Sequence, residues 1–222
     1  MKKPKMKIIN ELQLTKKEID KNTKRLRKEM EKPWLIPINE AYAKATLLGT
    51  GLKHSLLSTA STKMIKSNKN KKEAYDTVLY LAAAESSGMA NLCLFKGRCE
   101  KSCTQFTGCG MLHVEYTYKI RTYMLLYEPQ VFFTILYHQL EEHRKKALKL
   151  GAIPSVRLNG TSDICWEILA PWLFLDFEEF RFHDYTKDFS RLKNKLPDNY
   201  YLTFSEAEDN QLNAIKAFEL GY

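Results

Sequence analysis

Cys93, Cys99, Cys103 and Cys109 fall within seventeen positions of the stretch "NLCLFKGRCEKSCTQFTGCG", residues 91–110, with the spacing C-x5-C-x3-C-x5-C. Thiolates are soft ligands, so four of them on one loop suit an iron–sulfur cluster or a structural zinc ion, with free or redox-active thiols as a third alternative. The C-x2-C pairs that zinc ribbons and knuckles use are missing. Gly97, Gly108 and Gly110 give the loop the backbone freedom to wrap a cube of iron and sulfur. The fifth cysteine, Cys165 in "DICWE", reads as a small buried apolar residue.

Other polar residues gather where strands should end. "TVLYLAAA" (77–84) is a continuous apolar run that suits a strand buried on both faces, and Glu85, Ser86 and Ser87 follow it. From His113 to Leu150 apolar residues recur at helical spacing, interrupted at Pro129, and Arg144, Lys145, Lys146 and Lys149 before Gly151 mark a helix stop. "PSVRLNG" reads as a strand, "WEILAPWLFLDF" as a helix broken or kinked at Pro171, "FRFHDYT" as a strand and "FSRLKNKL" as helical. "YYLTFS" is a further strand and "DNQLNAIKAFELG" a last helix. Strand and helix in alternation predict an α/β fold with parallel strands and crossover helices, and in such folds ligands collect at the carboxyl ends of the strands. "NGTSD" (159–163), "HDYTK" (183–187) and "SEAED" (205–209) would then share one rim with the cysteine loop. Asp163 followed by Glu167 also fits a plain helix start, with the aspartate as N-cap.

The charge is unevenly placed. Residues 1–32 hold twelve Lys or Arg against five Asp or Glu, which is +7 of the net +9. Thr15-Lys16-Lys17-Glu18 has the form of a capping box, with Ile19, Leu26 and Met30 following at helical spacing. The chain thus divides into a basic N-terminal helical arm, residues 1–32, and an α/β domain, residues 33–222. The arm fits either a solvated helix or a nucleic-acid contact, because clustered lysines bind phosphate by releasing counterions. "KMIKSNKNKK" (63–72) reads as a second basic, mobile loop. No run of 18 apolar residues and no signal-peptide core is present, so a cytoplasmic protein with no membrane contact is expected.

"LYLAAAESSGMANLC", "GRCEKSC", "RLNGTSDICWE", "HDYTK" and "YYLTFSEAEDN", in this order over roughly residues 60–222, resemble a family of phage and prophage proteins related to the gene product eighty-eight group. The resemblance implies a partial, open TIM-type barrel similar to that of radical S-adenosylmethionine (SAM) enzymes, with a [4Fe–4S] cluster on the cysteine loop and residence in the host-cell cytoplasm. By the same analogy, Asn159, Gly160 and Thr161 would meet the methionine end of SAM, and Asp163, Asp184, Lys187, Ser205 and Glu206 would contact ribose, carboxylate or substrate. One-electron reduction of the cluster would cleave the sulfonium of SAM to a 5′-deoxyadenosyl radical. The spacing departs from the radical SAM motif C-x3-C-x2-C: only Cys99 and Cys103 form an x3 pair, and Cys93 lies upstream of them. The family resemblance matches Cys93, Cys99 and Cys103, with Cys109 an addition. Were Cys109 to take the fourth iron, SAM would have no open site.

Two function classes follow. One is a radical-SAM-like protein. The other is a zinc-stabilised nucleic-acid-binding protein without catalysis, docking through the N-terminal arm and Lys63, Lys66, Lys69, Lys71 and Lys72. Because the chain stops at "FELGY", the end of the last helix followed by Gly221 where a further strand would be expected, the sheet should be open at that edge, or completed by the segment around "WLIPI" or by a second chain.

Overall fold

The computed structural model describes residues 12–48, 55–58, 73–103, 105, 111–207 and 209–222, so Cys109 and the "KMIKSNKNKK" stretch lie outside the described residues. Its helices are α1 (Lys16–Arg25), α2 (Ile38–Leu47), α3 (Met111–Tyr127), α4 (Pro129–Lys149), α5 (Trp166–Leu169), α6 (Pro171–Asp176) and α7 (Gln211–Glu219). The strands are β1 (Leu57–Ser58), β2 (Ala74–Leu79), β3 (Ile153–Arg157), β4 (Arg181–Thr186) and β5 (Tyr200–Phe204). They form one sheet in the order β1-β2-β3-β4-β5, with β1 antiparallel to β2 and β2 through β5 parallel. The expected α/β class with parallel strands is therefore present. No helix among the described residues is long and apolar enough to cross a membrane.

The β2 to β3 crossover carries the cysteine loop and the helical pair α3 and α4. Pro129 at the first turn of α4 sets the break between the two helices, since its missing N–H costs nothing there. α4 buries Phe132, Phe133, Leu136 and Leu140 and ends at Leu150, where Gly151 takes a positive φ of 63°. Under the sheet, Phe174 meets Phe182 and Phe177 meets Phe180 with ring centroids 4.8 and 5.0 Å apart, an aromatic core around the fully buried Trp166.

Several expectations need correction. The strand expected over 77–84 runs instead over Ala74–Leu79, because its pairing with β3 ends at Val78 opposite Arg157. Beyond that point Leu81, Ala82, Ala83 and Ala84 stay buried, and side chains take over the backbone bonds: Ala82 N–H donates to Thr122 Oγ1 (3.1 Å) and Ala83 N–H to Gln105 Oε1. The helix expected over "FSRLKNKL" is a short 3-10 turn, Phe189–Lys193, started by Asp188, whose carboxylate accepts from Ser190 N–H at 3.0 Å. The "WLIPI" segment forms no strand, and Ile36 N–H donates to Thr134 Oγ1 on α4 at 3.2 Å instead. β5 accordingly forms one edge of the described sheet.

The capping box at Thr15 is present, with Thr15 N–H donating to Glu18 Oε2 at 2.8 Å. Yet α1 is anchored rather than free. Asn22 Nδ2 donates to Met89 O (2.9 Å) and Tyr127 Oη (2.8 Å), Asn91 N–H donates to Thr23 Oγ1 (2.8 Å), and Arg25 Nη1 donates to Leu126 O (2.9 Å). Leu26 is buried in the core, and Met30 bonds the backbone of Leu169 and the indole of Trp172. The lysines of α1 keep to its exposed face.

Candidate functional site

The chain leaves β2 through Ala83 and Ala84, and Ala84 holds a left-handed φ of 45°, a conformation that costs a non-glycine residue about 1 kcal/mol. The turn reverses the chain so that Leu92 N–H reaches Ala84 O at 3.0 Å, and Cys93 follows immediately. Asn91 Oδ1 accepts from Cys93 N–H at 3.0 Å, fixing that residue's backbone. Cys99 lies in the 3-10 turn Gly97–Ser102 and Cys103 caps it. Gln105 closes the loop: while its oxygen accepts from Ala83 N–H, its Nε2 donates to Ser86 Oγ at 3.1 Å.

These segments wall a cleft of about 260 Å³. Cys93, Lys96, Cys99 and Cys103 line it from the cysteine loop, and the ends of the four parallel strands supply the other walls: Ala83 and Ala84 after β2, Arg157 and Gly160 to Asp163 at the end of β3, Tyr185 to Lys187 at the end of β4 and Ser205 after β5. Burial pushes the Cys93 thiol up to about 12, with Asp163, Cys99 and Cys103 adding to the rise and Lys187 opposing it. None of the three is in a disulfide. Cys165 is buried away from them in the core, as expected.

Of the residues singled out at the strand ends, Gly160, Thr161, Asp163, Lys187 and Ser205 line the cleft. Asn159 and Asp184 lie beneath it, 1% exposed each, and Glu206 is exposed outside it. Asn159 is a hub: its Oδ1 accepts from Ser162 Oγ (2.9 Å), Ile164 N–H (3.0 Å) and Trp166 Nε1 (3.1 Å), and its Nδ2 donates to Ile164 O (2.9 Å). Asp184 accepts from Asn159 N–H (2.7 Å) and Tyr200 Oη (2.8 Å). Burial pushes its carboxyl up to about 7 against those bonds. Gly160 is dictated by space, since a Cβ would come within 2.7 Å of Leu79 O and 2.5 Å of the Tyr80 ring. Thr161 Oγ1 donates to Leu81 O, tying the β3 loop to the β2 exit.

Asp163 does not cap a helix. α5 begins three residues later with Cys165 at its N-cap position, and Asp163 instead turns to Arg191, Thr186 and Lys187. Arg191 is 1% exposed, bonds Glu167 through Nε (2.8 Å) and Nη2 (2.7 Å), and also donates to Tyr200 Oη (3.0 Å). Burial works against its charge, yet Tyr200, Glu167 and Asp163 hold it well above the usual guanidinium range. Sequence reasoning missed Arg191, Gln105 and Arg157, the last of which also lines the cleft.

The donor set would suit a thiophilic metal or cluster, since three thiols outside any disulfide line one cleft. Among the described residues no group of three or more His, Cys, Asp or Glu side chains is assembled to hold a metal ion. The thiols thus share a cleft without forming a ready-made single-ion site.

No curated protein and no solved structure matches the chain. The family model described as Gene product 88 matches residues 55–220, which takes in the sheet, the cysteine loop and every residue of the cleft, so the chain belongs to the Gene product 88 family.

Proposed function

We propose that Cys93, Cys99 and Cys103 hold a [4Fe–4S] cluster at the strand-end rim of an open, partial TIM-type barrel, and that the protein is a radical-SAM-like enzyme. The observation that carries this reading is that all three thiols line the one cleft at the ends of the four parallel strands. Consecutive strand order from β2 to β5 suits an arc of a barrel, in which ligands bind at the carboxyl ends.

With one iron open, such a cluster supplies an electron and a chelating position for SAM. The chain's own residues do the rest. Gly160 lets the loop after β3 pack closely against Leu79 O and the Tyr80 ring, and Lys187, donating to Ser205 Oγ at 3.0 Å, sets a positive charge between the ends of β4 and β5. To become a ligand the Cys93 thiol would have to give up its proton, against the burial that raises it. Asp163, fixed by Arg191, keeps a carboxylate beside the thiols.

Metal analysis of anaerobically purified full-length protein tests the reading. Iron and acid-labile sulfide, with a brown colour from charge-transfer absorption, are expected, and Ala at Cys93, Cys99 or Cys103 should each remove most of both. Colourless protein with stoichiometric zinc would replace the cluster by a structural ion and favour a nucleic-acid-binding protein braced by zinc. Full metal retention in all three variants would sink both readings.

A further inference from the structure

Arg157, at the end of β3, and Lys187, just after β4, both line the cleft. Asp163 is the carboxylate among the described residues lining it, and its charge is already matched: one oxygen lies 2.6 Å from Arg191 Nη1, and the other accepts from Thr186 Oγ1 (3.1 Å) and Lys187 N–H (3.0 Å). Neither Arg157 nor the Lys187 ammonium forms an ion pair with a carboxylate among the described residues. Each is held by neutral groups instead. Arg157 Nε donates to Asn159 O at 3.0 Å, with the guanidinium carbon 4.8 Å from the Tyr185 ring centroid, and Lys187 Nζ donates to Ser205 Oγ at 3.0 Å.

Two cations fixed in place and in no ion pair among the described residues suit an anion that arrives from solution. A guanidinium tied through Nε keeps its two terminal nitrogens in a set plane, which matches the paired oxygens of a carboxylate or a phosphate. An ammonium adds a point charge that either group accepts. The cleft, about 260 Å³, limits the occupant to a small molecule.

From this arrangement we infer that the strand-end side of the cleft binds a small organic anion through a phosphate or carboxylate group, gripped by Arg157 and Lys187 with the Ser205 hydroxyl beside them. The inference names the substrate class of the site proposed above, and rests on that reading only for what becomes of the anion once bound.

Calorimetric titration of the anaerobic full chain, with iron measured on the same samples, tests it. The probes are inorganic phosphate, adenosine monophosphate and citrate, with adenosine as the uncharged control. At least one anion should bind while adenosine does not. Arg157→Gln and Lys187→Gln should each weaken that binding about tenfold or more, as expected for loss of a charge-assisted hydrogen bond, with iron content and melting temperature unchanged. Binding of phosphate and adenosine monophosphate without citrate assigns a phosphate group, and the reverse assigns a carboxylate. No binding by any of the three at millimolar concentration, or binding indifferent to both substitutions, overturns the inference. So does loss of iron in the two variants, because the cations would then serve the thiolates rather than a substrate. Wild-type protein without iron defeats the cluster reading alone, and the anion titration still decides this one.

Discussion

Arg191 Nη1 lies 2.6 Å from Asp163 Oδ1, and both side chains are buried, at 1% and 6% exposure. The pair joins the 3-10 turn after β4 to the loop after β3, and Glu167 on α5 completes a forked contact on the other edge of the guanidinium. Removing the cation would leave two buried carboxylates, Asp163 and Glu167, without their ion-pair partner. Arg191→Met is expected to cost about 3–5 kcal/mol in urea unfolding. Arg191→Lys should recover only part of this, since an ammonium cannot fork to Glu167 while reaching Asp163. A lysine variant as stable as wild type would show that the paired geometry is dispensable.

Much of this arrangement is legible in the residue types, and the reasons it is not wholly so are specific. Cysteines on one loop and small polar residues after apolar runs identify a strand-end cleft because parallel strands must all end on the same side. Arg191 is hidden because "FSRLKNKL" looks like a solvated basic helix, and nothing local says that Asp163 and Glu167, more than 20 positions upstream, will meet it. Ala84 adopts a glycine-like φ that its side chain does not advertise. The basic N-terminal segment shows its capping box openly, but the residues that dock it, Asn22 and Thr23, find partners 67 and 68 positions away. Asn159 stands out by its place after β3, while its role as a hub depends on the tertiary fold that brings Asp184 under it.

Asp184 should make stability depend on pH. Its partners are Asn159 and Tyr200, with Arg191 and Arg157 nearby, and burial lifts its carboxyl to about 7 against an unfolded value of about 3.9. The folded state therefore holds a proton that the unfolded state has lost. This contribution to stability is full below about pH 4 and fades as pH rises to about 7. Urea midpoints at pH 5 and pH 8, compared between wild type and Asp184→Asn, isolate it: the variant should lack this part of the slope.

Gly160→Ala should damage the cleft more than its size suggests. The added methyl would meet the Leu79 carbonyl and the Tyr80 ring, and a backbone oxygen at the end of a central strand has little room to retreat. A loss of about 1–3 kcal/mol in thermal or urea unfolding is expected. Unchanged stability would mean that the β3 loop moves away freely.

The exposed lysines of α1, Lys16, Lys17, Lys21 and Lys24, can be tested without deleting a helix whose Leu26 end is part of the core. If this face contacts nucleic acid, converting all four to Glu should weaken binding and flatten its dependence on salt, by up to about one unit of log–log slope for each phosphate no longer neutralised. Equal affinity and slope for the variant and wild type, measured by fluorescence anisotropy on a labelled oligonucleotide, would leave the face as a solvated one. The melting temperature should change little in either case, because these side chains carry none of the α1 docking bonds.

Cys109→Ala discriminates between an open and a closed metal centre. Cys93, Cys99 and Cys103 line the cleft, and a fourth thiolate would complete the coordination of a [4Fe–4S] cluster and leave no iron for an exogenous ligand. If Cys109 is outside the ligand set, the variant should keep its iron, and adding SAM to the reduced protein should alter the electron paramagnetic resonance signal. Iron loss as severe as in Cys93→Ala, with no response to SAM in wild type, would instead describe a fully ligated structural or electron-transferring cluster. The pH dependence of metal uptake gives an independent reading of the same site: because the Cys93 thiol is pushed up to about 12, metal must displace its proton, and affinity should rise with pH through the neutral range. Cys93→Ser should lower the affinity and remove the share of that dependence owed to Cys93, since a hydroxyl is a far poorer ligand for iron. A serine variant with wild-type affinity and pH profile would take Cys93 out of the site.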